Sequence, residues 1–192
     1  MARFSALLDA CALVPITQAD LLLRLAEAGL YRPLWNHRIL EETVAAIEAV
    51  HPQTKASGSA RRRVNTMNKV FLDACVDHWE PFVESVDLPD PDDRHVVAAA
   101  VRGRADLLVT ANLKDFPVEH LAPLGIEVQS PDQFLMNQLD LAPQDVMIAL
   151  QHMAQATQNP PMTIREILSS LERCGLSAFS VAAAQQLWRI SP

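Results

Sequence analysis

Leu107-Leu108-Val109-Thr110-Ala111-Asn112-Leu113-Lys114-Asp115-Phe116-Pro117 decides the reading of this chain. Its first three residues are apolar without alternation, the pattern of a strand buried on both faces. Such strands belong to parallel sheets covered by helices. The stretch then turns polar at Thr110, and Asn112 and Asp115 follow at once. Ligands of an open parallel sheet bind beyond the carboxyl ends of its strands. The polar residues therefore stand where chemistry is expected.

Upstream, Asp90-Pro91-Asp92-Asp93 is a turn and helix start, and the helix over 93–103 ends at Gly103. Residues 82–88 read as a strand. A long helical pattern covers 60–79, with Val64, Met67, Phe71, Ala74, Cys75 and His78 in phase. Residues 51–59 read as a polar loop. The spacing of Ile39, Leu40, Thr43, Val44 and Ile47 predicts a helix over 39–50, stopped by His51-Pro52. Before it lie a short strand at 33–36, a helix at 18–28 and a strand at 4–8 that ends at Asp9. Downstream, 126–128 is a last strand and Ser130-Pro131 opens a helix over 131–139. Helical stretches at 143–156, 163–173 and 177–188 follow without any strand signal. The expected fold class is α/β: a three-layer α/β/α domain over 1–139 with a parallel central sheet, plus a helical C-terminal extension over 140–192. Strand 4–8 should be central and next to 107–110, since both are short and apolar.

Composition excludes several classes. The chain has 192 residues, 49% hydrophobic and 20% charged, with 5 Gly and 13 Pro. Disorder and small disulfide scaffolds do not fit, and no apolar run reaches the ~18 residues of a membrane span. The N-terminal stretch from Met1 to Cys11 reads as a first buried strand and not a signal peptide. Three cysteines, Cys11, Cys75 and Cys174, lack CxxC spacing; a structural zinc site is not expected, and reduced thiols in a cytoplasmic protein are the simplest reading. Net charge is −7, and 19 of the 23 acids lie in the first 135 residues. A chain this acidic does not coat nucleic acid by bulk electrostatics; it needs a local basic patch and a cation that neutralises part of the acid.

Asp9, Glu42, Asp93, Asn112 and Asp115 all fall near carboxyl ends of the expected strands. Each has an ordinary structural use: Asp9 and Asp93 can cap helices, Glu42 can be a solvated helix residue, and Asp115 can hold a turn. Capping alone does not require them all at one edge. Carboxylates crowded there repel one another unless a cation is shared, and hard oxygen ligands suit Mg²⁺ or Mn²⁺. The absence of GxGxxG, GxxxxGK[ST] and GxSxG removes dinucleotide, P-loop and hydrolase-elbow chemistry. No HxxxH or HExxH pattern occurs among the six histidines.

Four stretches carry a resemblance: Leu7-Leu8-Asp9-Ala10-Cys11, Ile39-Leu40-Glu41-Glu42, Asp90 through Ala100, and Leu108 through Pro117. Together they resemble a PIN-domain nuclease of the kind found as VapC toxins in bacterial toxin–antitoxin pairs, over about residues 4–135. The resemblance implies that Asp9, Glu42 and Asp93 are metal-binding acids. At the fourth position many members have Asp where this chain has Asn112, so Asn112 or Asp115 completes the set. It also implies an RNA substrate, a cognate antitoxin and a homo-oligomer. Thr110 would orient a ligand or water. Arg61-Arg62-Arg63, with Lys55 and Lys69, could track an RNA backbone or simply form a solvated face, and Arg94 could contact a phosphate. Two functions remain open: a metal-dependent endoribonuclease toxin, or a PIN-like module that holds RNA or protein without cutting.

Overall fold

The computed structural model describes residues 4–190. The reading of Met1, Ala2 and Arg3 therefore lies outside the described residues. The chain runs β1 (Ser5–Leu8), α1 (Ala10–Leu13), α2 (Ile16–Glu27), β2 (Arg32–Leu34), α3 (His37–Val50), α4 (Gln53–Ser57), α5 (Ser59–Val70), α6 (Arg94–Gly103), β3 (Leu107–Val109), α7 (Val118–Leu121), β4 (Glu127–Gln129), α8 (Pro131–Leu141), α9 (Pro143–Ala156), α10 (Ile164–Arg173) and α11 (Ser177–Ala184). All four strands are parallel, in the order β2-β1-β3-β4. This is the α/β class with a parallel central sheet expected of the sequence, and β1 lies centrally beside β3. Every residue of β1 and β3 is buried, which is why neither alternates in polarity.

Two expected elements are corrected. Residues 82–88 do not form a strand; Glu80–Ser85 is a 3-10 helix. Glu80-Pro81 at its start favours a tight helical turn over a ladder, since Pro cannot donate to one. The helix expected over 60–79 stops at Val70. Beyond it the backbone pairs with Trp35: Trp35 N–H donates to Ala74 O at 3.0 Å and Val76 N–H to Trp35 O at 2.8 Å. Ala74 and Cys75, apolar and in helical phase, owe their pattern to this bridge. Within the supposed loop 51–59, Gln53–Ser57 is a short helix closed by Gly58 in the left-handed region (φ 64°). Gly103 does not end α6 by its own conformation; Arg104 does, at φ 55°. Gly103 serves close packing, because a Cβ there would fall 2.8 Å from Val76 Cγ2.

Contacts divide the chain into two compact units, 1–14 with 32–129, and 15–31 with 130–192. The first holds the sheet. The second is built from α2 and α8–α11, so the helices of the sequence-read extension share their unit with α2 and α8. Tyr31 packs edge-on against Phe134 at 5.0 Å. Thr17 and Ser170 hydroxyls are 3.1 Å apart. Asp132 accepts from the N–H groups of Ala178 and Phe179 at the start of α11, and Thr163 with Glu166 forms a capping box on α10. The buried faces of α9 and α10 (Val146, Leu150, Met153; Ile167, Leu168, Leu171) lie within this unit's elements. Trp188, at the end, is 67% exposed, with the Arg189 guanidinium 4.5 Å over its ring.

Candidate metal centre

Asp9 follows β1 directly and opens α1 as its N-cap. Its Oδ1 accepts from Ala10 N–H at 2.7 Å. Its Oδ2 accepts from the Thr110 hydroxyl at 2.8 Å and from the Cys11 thiol at 3.0 Å. A carboxylate has about four acceptor positions, so these three bonds fix its orientation and leave room for one more partner. Capping and metal binding are thus compatible for this residue. Thr110 is fully buried behind Asp9; it also accepts from Asn112 N–H at 3.1 Å. Its hydroxyl holds the Asp9 carboxylate in place.

Asp93 lies at the entry to α6 and caps nothing with its side chain. Burial, and then the nearby carboxylates of Asp9, Asp90 and Asp115, push its carboxyl up to about 6, while His95 pulls the other way. Asp93 therefore feels Asp9 and Asp115 of the expected set, and Asp90 besides. Asn112 Nδ2 donates to Asp115 Oδ2. Asn112 is thus turned with its amide nitrogen toward Asp115, and the negative oxygen at this corner belongs to Asp115.

Glu42 is held differently. Arg38 Nε donates to its Oε1 at 3.0 Å, and His95 Nε2 stands 3.1 Å from the same oxygen. Burial pushes Glu42 up, but the contact with His95 and the Arg38 guanidinium outweigh it, and its carboxyl ends below the usual range. His95 is buried, with only 1% of its surface exposed. Asn36 sets its tautomer. Asn36 Oδ1 accepts from Ile39 N–H at 2.7 Å as the N-cap of α3. Its Nδ2 must then face His95, donating to Nδ1 (3.3 Å) and to the backbone oxygen (3.0 Å). With Nδ1 accepting, the ring proton sits on Nε2, which lies close to Glu42 Oε1 but outside hydrogen-bond geometry. Sequence reading missed Asn36, His95 and Asp90. The available signals were an Asn before an apolar helix start and a single polar residue opening the buried run Val96–Ala100.

The three consecutive arginines are all engaged. Arg61 makes a two-pronged pair with Glu41, Arg62 donates to Ser57 O at 2.6 Å, and Arg63 donates to the Val14 and Leu13 carbonyls at the end of α1. Arg94 buries its Nε without a hydrogen-bond partner among the described residues. The Cys11 thiol is pushed up to about 11, by burial and then by Asp9. It is a neutral donor here and no nucleophile.

Among the described residues no three of these acids bring ligand oxygens within 4.8 Å of one another, a spacing that His37, Cys75 and Asp77 alone meet, so a divalent cation would have to draw the acids together. Asp9 keeps one oxygen position open, and Asp93 is destabilised by neighbours of its own sign. No helix among the described residues is long and apolar enough to cross a membrane.

Comparison with known proteins places the chain. Residues 131–185 match the family model described as the VapC50 C-terminal domain. That stretch starts where the helical unit resumes, at α8. A protein of Mycobacterium tuberculosis, "Putative ribonuclease VapC50", is 46% identical over 79 residues, which are 41% of this chain and 47% of the relative. The match thus spans about half the length of that relative. No solved structure matches. The model for the PIN domain takes in residues 5–114, more than half the chain and the very strands that carry Asp9 and Thr110, and on that ground the chain belongs to the PIN-domain family.

Proposed function

We propose that the chain is a metal-dependent endoribonuclease, the toxin of a toxin–antitoxin pair, acting on RNA in the cytoplasm. One observation carries the reading: Asp93 stands close enough to Asp9, Asp90 and Asp115 at the strand ends that burial and these carboxylates together push its carboxyl up to about 6. A module that only bound RNA would gain nothing from carboxylates crowded against a phosphate backbone. The kinship with a protein named a ribonuclease supports the same reading.

Asp9, Asp93 and Asp115 would hold the cation, with Glu42 as a further acid and Asn112 orienting Asp115. Mg²⁺ or Mn²⁺, when bound, neutralises the acids and lowers the pKa of a coordinated water toward the nucleophilic range. Thr110 and Cys11 keep Asp9 in one rotamer, so its free oxygen is aimed before metal arrives. Arg94, next to Asp93, is the cation placed to meet a phosphate oxygen, and Arg61–Arg63 supply positive charge farther along. The helical extension would serve contact with the antitoxin or with a second copy.

The test is cleavage of a mixed RNA by the purified full chain with Mg²⁺ or Mn²⁺, with EDTA, and with Asp93→Asn. Metal-dependent cutting that the substitution abolishes is the expected result. RNA bound but uncut under all conditions would establish the binding-module alternative. Co-purification with the product of an adjacent small reading frame tests the pairing.

A further inference from the structure

His37, Cys75 and Asp77 come together on the sheet-bearing unit. One ligand atom from each lies within 4.8 Å of the other two, and His37 Nε2 is 4.0 Å from Asp77 Oδ1. We propose that these three residues form a binding site for zinc or a similar borderline-soft transition metal, separate from the acidic strand-end cluster.

The backbone holds the three in place. His37 is the first residue of α3, whose start is capped by Asn36. Cys75 is bridged to Trp35, two residues before His37, through the Ala74 and Val76 hydrogen bonds. Asp77 follows two residues later, and His78 then turns the chain at φ 58°. The bridge fixes the spacing of two of the ligands before any metal arrives. Cys75 and Asp77 also line an open cleft of about 320 Å³, with Arg32, Arg102 and Arg104 on its walls. A fourth ligand can therefore be water.

Donor type selects the metal. Imidazole and thiolate favour zinc over the hard cations of the strand-end acids. One thiolate and one carboxylate balance the two positive charges of the ion, and the imidazole adds none. Burial and then Asp77 push the Cys75 thiol up, so the metal-free residue carries its proton. Binding forms a sulfur–metal bond and releases that proton to solvent. Occupancy would clip the first turn of α3 to the segment after α5.

The experiment uses the full chain, metal-stripped and reduced, titrated with Zn²⁺ against a chromophoric chelator and with Co²⁺ as a spectroscopic substitute. One equivalent per chain bound through sulfur is expected, with a sulfur-to-cobalt charge-transfer band and a rise in melting temperature on adding Zn²⁺. Cys75→Ser should abolish the band, and His37→Ala, at an exposed position, should weaken binding by ~10-fold or more. Asp9→Asn should keep the band, which separates this site from Cys11 and the strand-end acids. A band that survives Cys75→Ser, or wild-type protein that takes up neither ion, overturns the proposal. Neither outcome bears on RNA cleavage.

Discussion

Glu42 and Asp93 share a neighbour, His95, and end in opposite electrostatic states. Asp93 is raised by burial and three carboxylates. Glu42 is as much a carboxylate, yet His95 and Arg38 outweigh its burial and hold it low. The difference shows which part of the centre lacks positive charge. The Asp93 side is frustrated without a cation, whereas the Glu42 side already has its own. On the proposed reading a metal ion would gain most from Asp9, Asp93 and Asp115, and Glu42 would have to be drawn from existing partners.

The largest effect should come from breaking the frustrated side. Asp93→Asn is expected to lower RNA cleavage by more than ~100-fold, since a ligand should matter more than the 10–100-fold typical of a ligand's supporting partner. The metal-free variant should melt at the same temperature as wild type or higher, because one repelling charge is gone. Circular dichroism melts with and without Mg²⁺ check both. A variant that unfolds, or one that cuts normally, would contradict the comparison.

His95→Gln sharpens the other side. Removing the imidazole leaves Glu42 without one contact and Asn36 Nδ2 without its ring partner. Cleavage should fall ~10–100-fold, and stability by about 1 kcal/mol for the buried hydrogen bond lost, since Asn36 Nδ2 keeps the backbone oxygen of residue 95. Asn36→Ala should cost ~1 kcal/mol through the lost cap and reproduce part of the activity loss. If cleavage is untouched while stability falls, the chain Asn36–His95–Glu42 is architectural only.

pH separates the two acids further. The folded-state carboxyl of Asp93 is raised from 3.8 to about 6, so the folded state binds more protons than the unfolded one between those values. Stability of the metal-free protein should then fall as pH rises through that window and level off above it. Metal affinity runs the opposite way. It should be fully developed above pH 6 and weaken by about tenfold per unit well below it, as the proton competes for Asp93. Calorimetric titration with Mn²⁺ at pH 7.5 and 5 measures this, and Asp93→Asn should flatten the slope.

Much of this was open to reading in the sequence, for particular reasons. β1 after Ser5 and all of β3 are apolar because both faces are buried, and Asp9, Thr110 and Asp115 follow their ends within a few residues. Local order thus maps onto the sheet edge. Residues 71–88 resisted because their pattern is set by partners far along the chain: the bridge from Cys75 to Trp35 and the Glu80–Ser85 turn carry no periodic signal of their own. α8 carries the apolar spacing of any α/β crossover, so nothing local tells that it groups with α2 and the C-terminal helices. His95 was hidden for the same reason. Its meaning depends on Asn36, 59 residues earlier.

The smallest effect concerns Arg61, whose partner Glu41 is next to Glu42 in the chain yet plays no part in the acid cluster. Glu41 is lowered chiefly by its hydrogen bond from Arg61, and both side chains are exposed. An exposed pair of this kind adds little to stability, so neither Arg61→Ala nor Glu41→Ala should move the melting temperature measurably. Their effects on RNA should nevertheless differ in sign. If Arg61 meets a phosphate, its loss should raise KM a few-fold, leave kcat alone and reduce the salt slope of binding by about one. Glu41→Ala should then lower KM, because it frees the guanidinium from a competing carboxylate. If the pair only pins α5 to α3, the two variants behave alike and the salt slope stays put. Opposite shifts in KM place the RNA path along the start of α5; identical ones remove Arg61 from it and leave Arg94 as the remaining candidate for a phosphate contact.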